Sequence, residues 1–296
     1  MKPINRKIAG FAVAVTVLLC VGCGKEAESP AVSTAPTVTD PSVPVTQPAT
    51  QPTETTPPDI EPEVVTLLDF LKIATQPVGS TMYVWGGGWN EADTGAGTEA
   101  VSLGVSPRWA EFAGVQHSGY DYKKHKYQIH DGLDCSGYIG WAVYNALETE
   151  NGRPGYVCSS TKMAQSFAQR GLGVYIPAGE MTQWLPGDVM SMNGHAWICV
   201  GMCGDGSVLL LHASPPGVMF SGTRSASGGA TDATALADRI MSQQYPQWYS
   251  RYPESSRSHS YLTKSSAMRW YSEVLPDPEG IRQMSAEEVV ELIYNE

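Results

Sequence analysis

The sequence predicts an α+β domain in which an antiparallel sheet packs against a helix headed by a cysteine. Three observations carry this reading. After "GLDC", residues Ile139, Ala142, Val143, Ala146 and Leu147 recur at the three-four spacing of a helix with a buried stripe. "HAWICVGMCGDGSVLLLHAS" reads as two strands joined at Gly204-Asp205-Gly206. "WLPGDVMSM" turns at Pro186-Gly187 into a further strand.

In chain order, Lys2, Arg6 and Lys7 precede an apolar run from Ile8 to Val21, short for a membrane span and suited to a signal-peptide core. The run ends in "LLCVGCGK". A small residue before Cys23 resembles the lipobox of bacterial lipoproteins, although Cys20 stands where Leu is usual. That resemblance implies a signal peptide over residues 1–22 and acylation of Cys23; an ordinary secretory signal is the alternative. From Lys25 to Val64 the chain is Pro, Thr, Ser, Val and acidic residues, too poor in apolar mass to offset ordering entropy. Residues 23–64 are therefore expected to be a lipidated cysteine and a disordered tether, and residues 65–296 one folded domain.

"TLLDFLKIATQPVG" opens that domain as a helix, with Leu67, Leu68, Leu71 and Ile73 apolar. "STMYVWGGGW" is β-rich until Gly86, Gly87 and Gly88 force a turn or a close approach. Residues 89–130 are Gly-rich and polar but carry Trp109, Phe112, Tyr120, Tyr122 and Tyr127, the makings of a binding loop, a lid or a surface insertion. Within them, Ser106 and Pro107 start a short helix. "SSTKMAQSFAQRGLG" reads as a helix capped by Ser159 or Ser160 and closed by Gly171. The tail, residues 221–296, adds a helix over "ATALADRIMSQQY", a strand in "AMRWYSEVL" and a last helix with a Ser285–Glu288 capping box.

The net charge of −11 argues against nucleic acid as a partner. Four of the six cysteines, Cys135, Cys158, Cys199 and Cys203, fall in the folded domain, which is no disulfide scaffold. Cys199 with Cys203, or Cys158 with either, remain open as pairs. The histidines and acids show no metal-ligand spacing, so a zinc hydrolase is unsupported.

Cys135 stands apart. Unpaired amides and the dipole at a helix start favour a thiolate. A nucleophilic thiol needs a histidine, and the histidine needs an orienting partner. His195 and His212 flank the hairpin, and with a two-residue turn their odd index sum puts both on one face. His117, His125 and His259 lie in polar, loop-like surroundings and are expected to face solvent. Asp134 is placed to cap the helix.

"YVWGGG", "GLDCSGYIGW", "LPGDV", "GHAWICVG" and "LHASPPGV", in this order, resemble the NlpC/P60 family of bacterial cell-wall cysteine peptidases, which are papain-like in fold. The resemblance spans residues 66–220. It implies Cys135 as nucleophile, His195 as its base and acid, and His212 as the residue orienting His195. It further implies Tyr83 near the nucleophile as an oxyanion donor, with Asp134 and Ser136 contacting substrate. Two departures stand out: residues 89–130 replace a short link, and Trp197, where a small residue is common, is expected to narrow the pocket. The implied activity is cleavage of peptidoglycan stem peptides, foremost the D-γ-glutamyl–diamino acid bond, by a cofactor-free monomer tethered outside the cytoplasm at the cell envelope. An amidase acting between muramic acid and L-alanine, a cross-bridge peptidase and a non-catalytic surface-binding lipoprotein are the rivals.

Overall fold

In the computed structural model, which describes residues 64–89, 100–147 and 155–295, the chain enters the fold through helix α1 (Leu67–Thr75). Residues 1–22, Cys23, nearly all of the tether and residues 90–99 of the insertion lie outside the described residues. Thr66 and Asp69 form a reciprocal capping box at the start of α1, two bonds that satisfy otherwise orphaned amides. Next come strand β1 (Met82–Tyr83), helix α2 (Pro107–Gly114) and strand β2 (Gly132–Leu133). Helix α3 (Cys135–Leu147) follows, then α4 (Met163–Gln169) and β3 (Gly173–Ile176).

Strands β4 (Val189–Met192), β5 (His195–Met202), β6 (Val208–Ser214) and β7 (Gly217–Thr223) run as an antiparallel meander. The chain ends with α5 (Asp232–Gln244), α6 (Pro246–Arg251), β8 (Ser256–Arg257), α7 (Ser260–Lys264), β9 (Ser266–Trp270) and α8 (Ala286–Tyr294). The sheet order is β2-β1-β7-β6-β5-β4-β9-β3, with β8 beside β7. The molecule is thus α+β, but its sheet is mixed rather than wholly antiparallel: β1 pairs with β2, and β7 with β8, in parallel. Among the described residues no helix is long and apolar enough to cross a membrane.

The tail is part of this sheet. Strand β9 lies between β4 and β3, and a bidentate contact from Arg269 to the buried Asp188 (2.9 and 2.7 Å) locks β9 to the "LPGDV" turn. Residue 221, where the tail begins, falls inside β7.

Helix α3 is buried nearly all round, not along one stripe as its spacing predicts. One side meets Ile198, Leu209 and Leu211 of the sheet within the main core. Elsewhere the Tyr138 hydroxyl donates to the Ala74 carbonyl of α1 (2.7 Å), and Trp141 packs edge-on against Trp109 of α2 (5.8 Å). The described part of residues 89–130 is therefore packed into the domain. His125 is half-buried at the edge of this packing: it stacks on Tyr120 (5.3 Å, 16°) and bonds Gln128 at the surface.

The first turn of α3 also touches the glycine loop. A Cβ on Gly137 would collide with the Gly87 carbonyl, so backbone meets backbone where any side chain would intervene. Gly137→Ala is expected to cost about 2–3 kcal/mol in denaturant unfolding, whereas Gly119→Ala, whose Cβ enters open space, should stay within about 0.5 kcal/mol of the parent. Equal effects would refute this close approach.

Candidate active site

Asp134 builds the start of α3. Its Oδ1 accepts from the Gly137 amide (2.7 Å) and the Ser136 hydroxyl (2.9 Å), and its Oδ2 accepts from the Gly86 amide (3.2 Å). The cap expected from sequence is therefore present, and the same carboxylate fastens the glycine loop. Ser136 in turn accepts from Trp89 Nε1 (3.1 Å). Burial pushes the Asp134 carboxyl up to about 6, against the pull of these donors.

Cys135 follows at the first helical position and is only 5% exposed. The backbone amide of Ala196, the Ser160 hydroxyl and the Ser136 amide are aimed at its sulfur and favour the thiolate. Burial outweighs them, the Asp134 charge adds to it, and the thiol is pushed up to about 12. The thiolate expected from the helix end alone is overturned by this desolvation.

The histidines sit on β5 and β6. The connection between these strands, from Cys203 to Ser207, is longer than two residues, and a bulge between Cys199 and Gly201 restores the register. Ile198 then opposes Leu211, and His195 and His212 fall on one face, as the index sum predicts by a different route. That face points away from α3: Ala196, Ile198 and Val200 join the main core, while Trp197 and Cys199 join a second, smaller one. His195 Nε2 lies 3.0 Å from His212 Nδ1, and His212 Nε2 lies 3.0 Å from the Ser221 hydroxyl. With Nε2 engaged by His212, Nδ1 is the other ring nitrogen of His195.

For Nδ1 to accept, Nε2–H must donate to His212 Nδ1, so His212 carries its own proton on Nε2 and donates to Ser221. Burial, with the nearby Arg257 charge, lowers His195 to about 3 and His212 well below its ordinary value. Thiol and imidazoles thus rest uncharged.

A cleft of about 260 Å³ opens over Cys135. Tyr83, Trp85, Trp89 and Tyr127 line it together with Asp134 and Ser136. Ser159, Ser160 and Gly194, the neighbour of His195, complete the lining. The Tyr83 hydroxyl is kept protonated, because burial and then the Cys135 charge raise its pKa, so it remains a donor. Tyr127 holds a left-handed backbone (φ 62°), its amide bonding the Trp85 carbonyl (2.7 Å).

Trp197 does not narrow this cleft. It is fully buried behind the strand, donating from Nε1 to the Ser265 hydroxyl (3.1 Å). Ser160 caps no helix and instead faces the thiol; a 3-10 turn over Ser160–Lys162 precedes α4. Cys135, Cys158, Cys199 and Cys203 are all free, so none of the open disulfide pairings is formed. Among the described residues no cluster of His, Cys, Asp and Glu forms a metal-holding set. Family models, curated proteins and solved structures gave no match to this chain.

A buried carboxyl with a raised pKa stabilises the fold when protonated. That contribution is complete below pH 4 and lost as pH rises through about 6. Between pH 4 and 7 the wild type should lose about 3 kcal/mol from this group. Asp134→Asn, with nothing to ionise, should be less stable at pH 4, and its deficit should narrow by that amount at pH 7 in urea titrations. A pH-independent deficit would contradict the assignment.

Proposed function

We propose that this chain is a papain-like cysteine hydrolase of the NlpC/P60 type that cuts peptidoglycan stem peptides, foremost the D-γ-glutamyl–diamino acid bond. It works outside the cytoplasm at the cell envelope, tethered to the membrane through acylated Cys23. The observation that carries the reading is the ordered set Cys135 at the start of α3, then His195 bonded through Nε2 to His212, with the thiol lying against the Ala196 amide beside His195. The five sequence motifs supply the substrate class.

In this mechanism the scissile carbonyl enters the cleft above Cys135. As sulfur attacks the carbonyl carbon, its proton passes to His195 Nδ1, and His212 supports the imidazolium through Nε2. The amide of Cys135 and the Tyr83 hydroxyl are the donors for the developing oxyanion, a role worth about 2.7–4 kcal/mol per donor in comparable sites. Collapse of the tetrahedral intermediate breaks the C–N bond, and His195 returns the proton to the leaving amine. Water, deprotonated by the same imidazole, then hydrolyses the thioester. Asp134 and Ser136 border the substrate while holding the helix start, and no cofactor takes part.

The neutral resting pair fits this order of events, since substrate displaces water from the cleft before charge is created. Purified peptidoglycan and defined muropeptides should be incubated with the full-length protein and with Cys135→Ala, and the products read by mass spectrometry. New fragments ending at D-γ-glutamate, absent with the variant, are expected. Cleavage between muramic acid and alanine would replace the bond assigned here, and no cleavage by folded wild-type protein would overturn the enzymatic reading.

A further inference from the structure

The face of the sheet that carries His195 and His212 is covered by the chain after β7. Tyr261 of α7 packs edge-on against His195 (centroids 5.5 Å, 62°) and against His212 (6.1 Å, 80°), and tilts against Trp197 (6.0 Å). One ring therefore touches both imidazoles and the residue between them in the pattern of the face. Its hydroxyl end lies close enough to the Arg257 guanidinium for each to shift the other's pKa.

Arg257, on β8, spends donors on neutral acceptors: Nη1 on the Ser256 carbonyl (2.6 Å) and Nη2 on the sulfur of Met219 (3.5 Å). Met219 is the cross-strand partner of His212, so the guanidinium lies alongside the imidazole pair. A half-buried cation held by a carbonyl and a thioether, with a phenol beside it, directs its field at whatever titrates nearby. Arg257 from β8 bears on both imidazoles and His195 bears on His212, while Tyr261 from α7 touches both rings and itself feels Cys135 at the start of α3. Glu254 acts one step away, on Arg257.

We propose that Tyr261 and Arg257 are positioning residues for the His195–His212 pair: Tyr261 holds the ring planes, and with them the His195–His212–Ser221 hydrogen bonds that set the tautomer, and Arg257 keeps the pair uncharged until substrate arrives. The segment after β7 is then a working part of the site. The Arg257 charge, after burial, depresses imidazolium formation at both rings. The proposal rests on the reading of His195 as proton acceptor, and its test needs no substrate.

Full-length protein labelled with 15N at histidine should be titrated by NMR, following the ring nitrogens of His195 and His212. In the wild type both rings should stay neutral, each in one tautomer, down to about pH 4, near the His195 value of about 3. Arg257→Gln, which keeps a donor for Tyr261 but loses the charge, should raise both protonation midpoints by about one pH unit or more. Arg257→Lys should restore wild-type midpoints. Tyr261→Phe should keep the single tautomer, because the ring remains, and Tyr261→Ala should replace it with tautomer exchange at His195. Unchanged midpoints in folded Arg257→Gln, or an unchanged tautomer in Tyr261→Ala, would overturn the proposal. A failure to cleave peptidoglycan would leave these readouts intact and count only against the hydrolase reading.

Discussion

The Asp134 carboxylate joins three parts of the site that sequence keeps apart. It caps α3 through Gly137, holds the glycine loop through Gly86 and fixes Ser136, which in turn receives Trp89. Cys135 is the next residue, so the direction of its side chain follows from that cap. Capping interactions contribute about 1 kcal/mol each, and the close backbone approach of Gly87 and Gly137 leaves no slack between loop and helix. The cost is a buried carboxyl, its pKa raised by burial, next to a buried thiol whose pKa is raised by burial and then by the Asp134 charge. The site therefore gains precision of placement and loses the readily ionised thiol that an open helix end would provide.

The sheet resolves the other half of the problem. Residue alternation along β5 sends Ala196 toward α3 and His195 to the opposite face. The thiol meets the strand at its backbone, and the imidazole is held from behind by His212, Ser221 and Tyr261. A buried donor left unpaired costs about 1–3 kcal/mol, and the chain from His195 through His212 to Ser221 is satisfied in either direction because a hydroxyl both donates and accepts. The proposed mechanism uses the one in which His195 Nε2–H donates to His212 and His212 Nε2–H donates to Ser221. That arrangement leaves the Nδ1 of His195 as an acceptor.

Long periodic elements were legible before the fold was seen, because their patterns are local. The α3 spacing, the β5–β6 hairpin, the "LPGDV" turn and the Ser285 capping box each rest on residues within one or two turns of chain. The paired strands β1 and β2, two residues each, carry no alternation to read. The histidine face depends on a bulge that offsets a longer loop, and Gly201 in "WICVGM", with its positive φ, is the one local sign of it. Trp197 is kept from the cleft by Ser265 and the second core, which bury it fully, and neither is adjacent to it in sequence. Ser160, Ser221 and Tyr261 reach the site from distant parts of the chain, where single serines and tyrosines carry no pattern. Asp134, Ser136 and Tyr83 could be named because they adjoin the motifs, and the structure gathers them with Cys135 around one cleft.

The central claim is that His195 acts on Cys135. The direct measurement is the rate at which iodoacetamide alkylates Cys135 at pH 7 in the full-length wild type and in His195→Ala, resolved by peptide mass spectrometry with Cys158, Cys199 and Cys203 as internal references. If His195 takes the Cys135 proton, Cys135 slows by at least about tenfold in the variant, while the reference cysteines do not change. Equal Cys135 rates in the two folded proteins would mean that imidazole and thiol do not exchange a proton, and the account would be wrong at its centre.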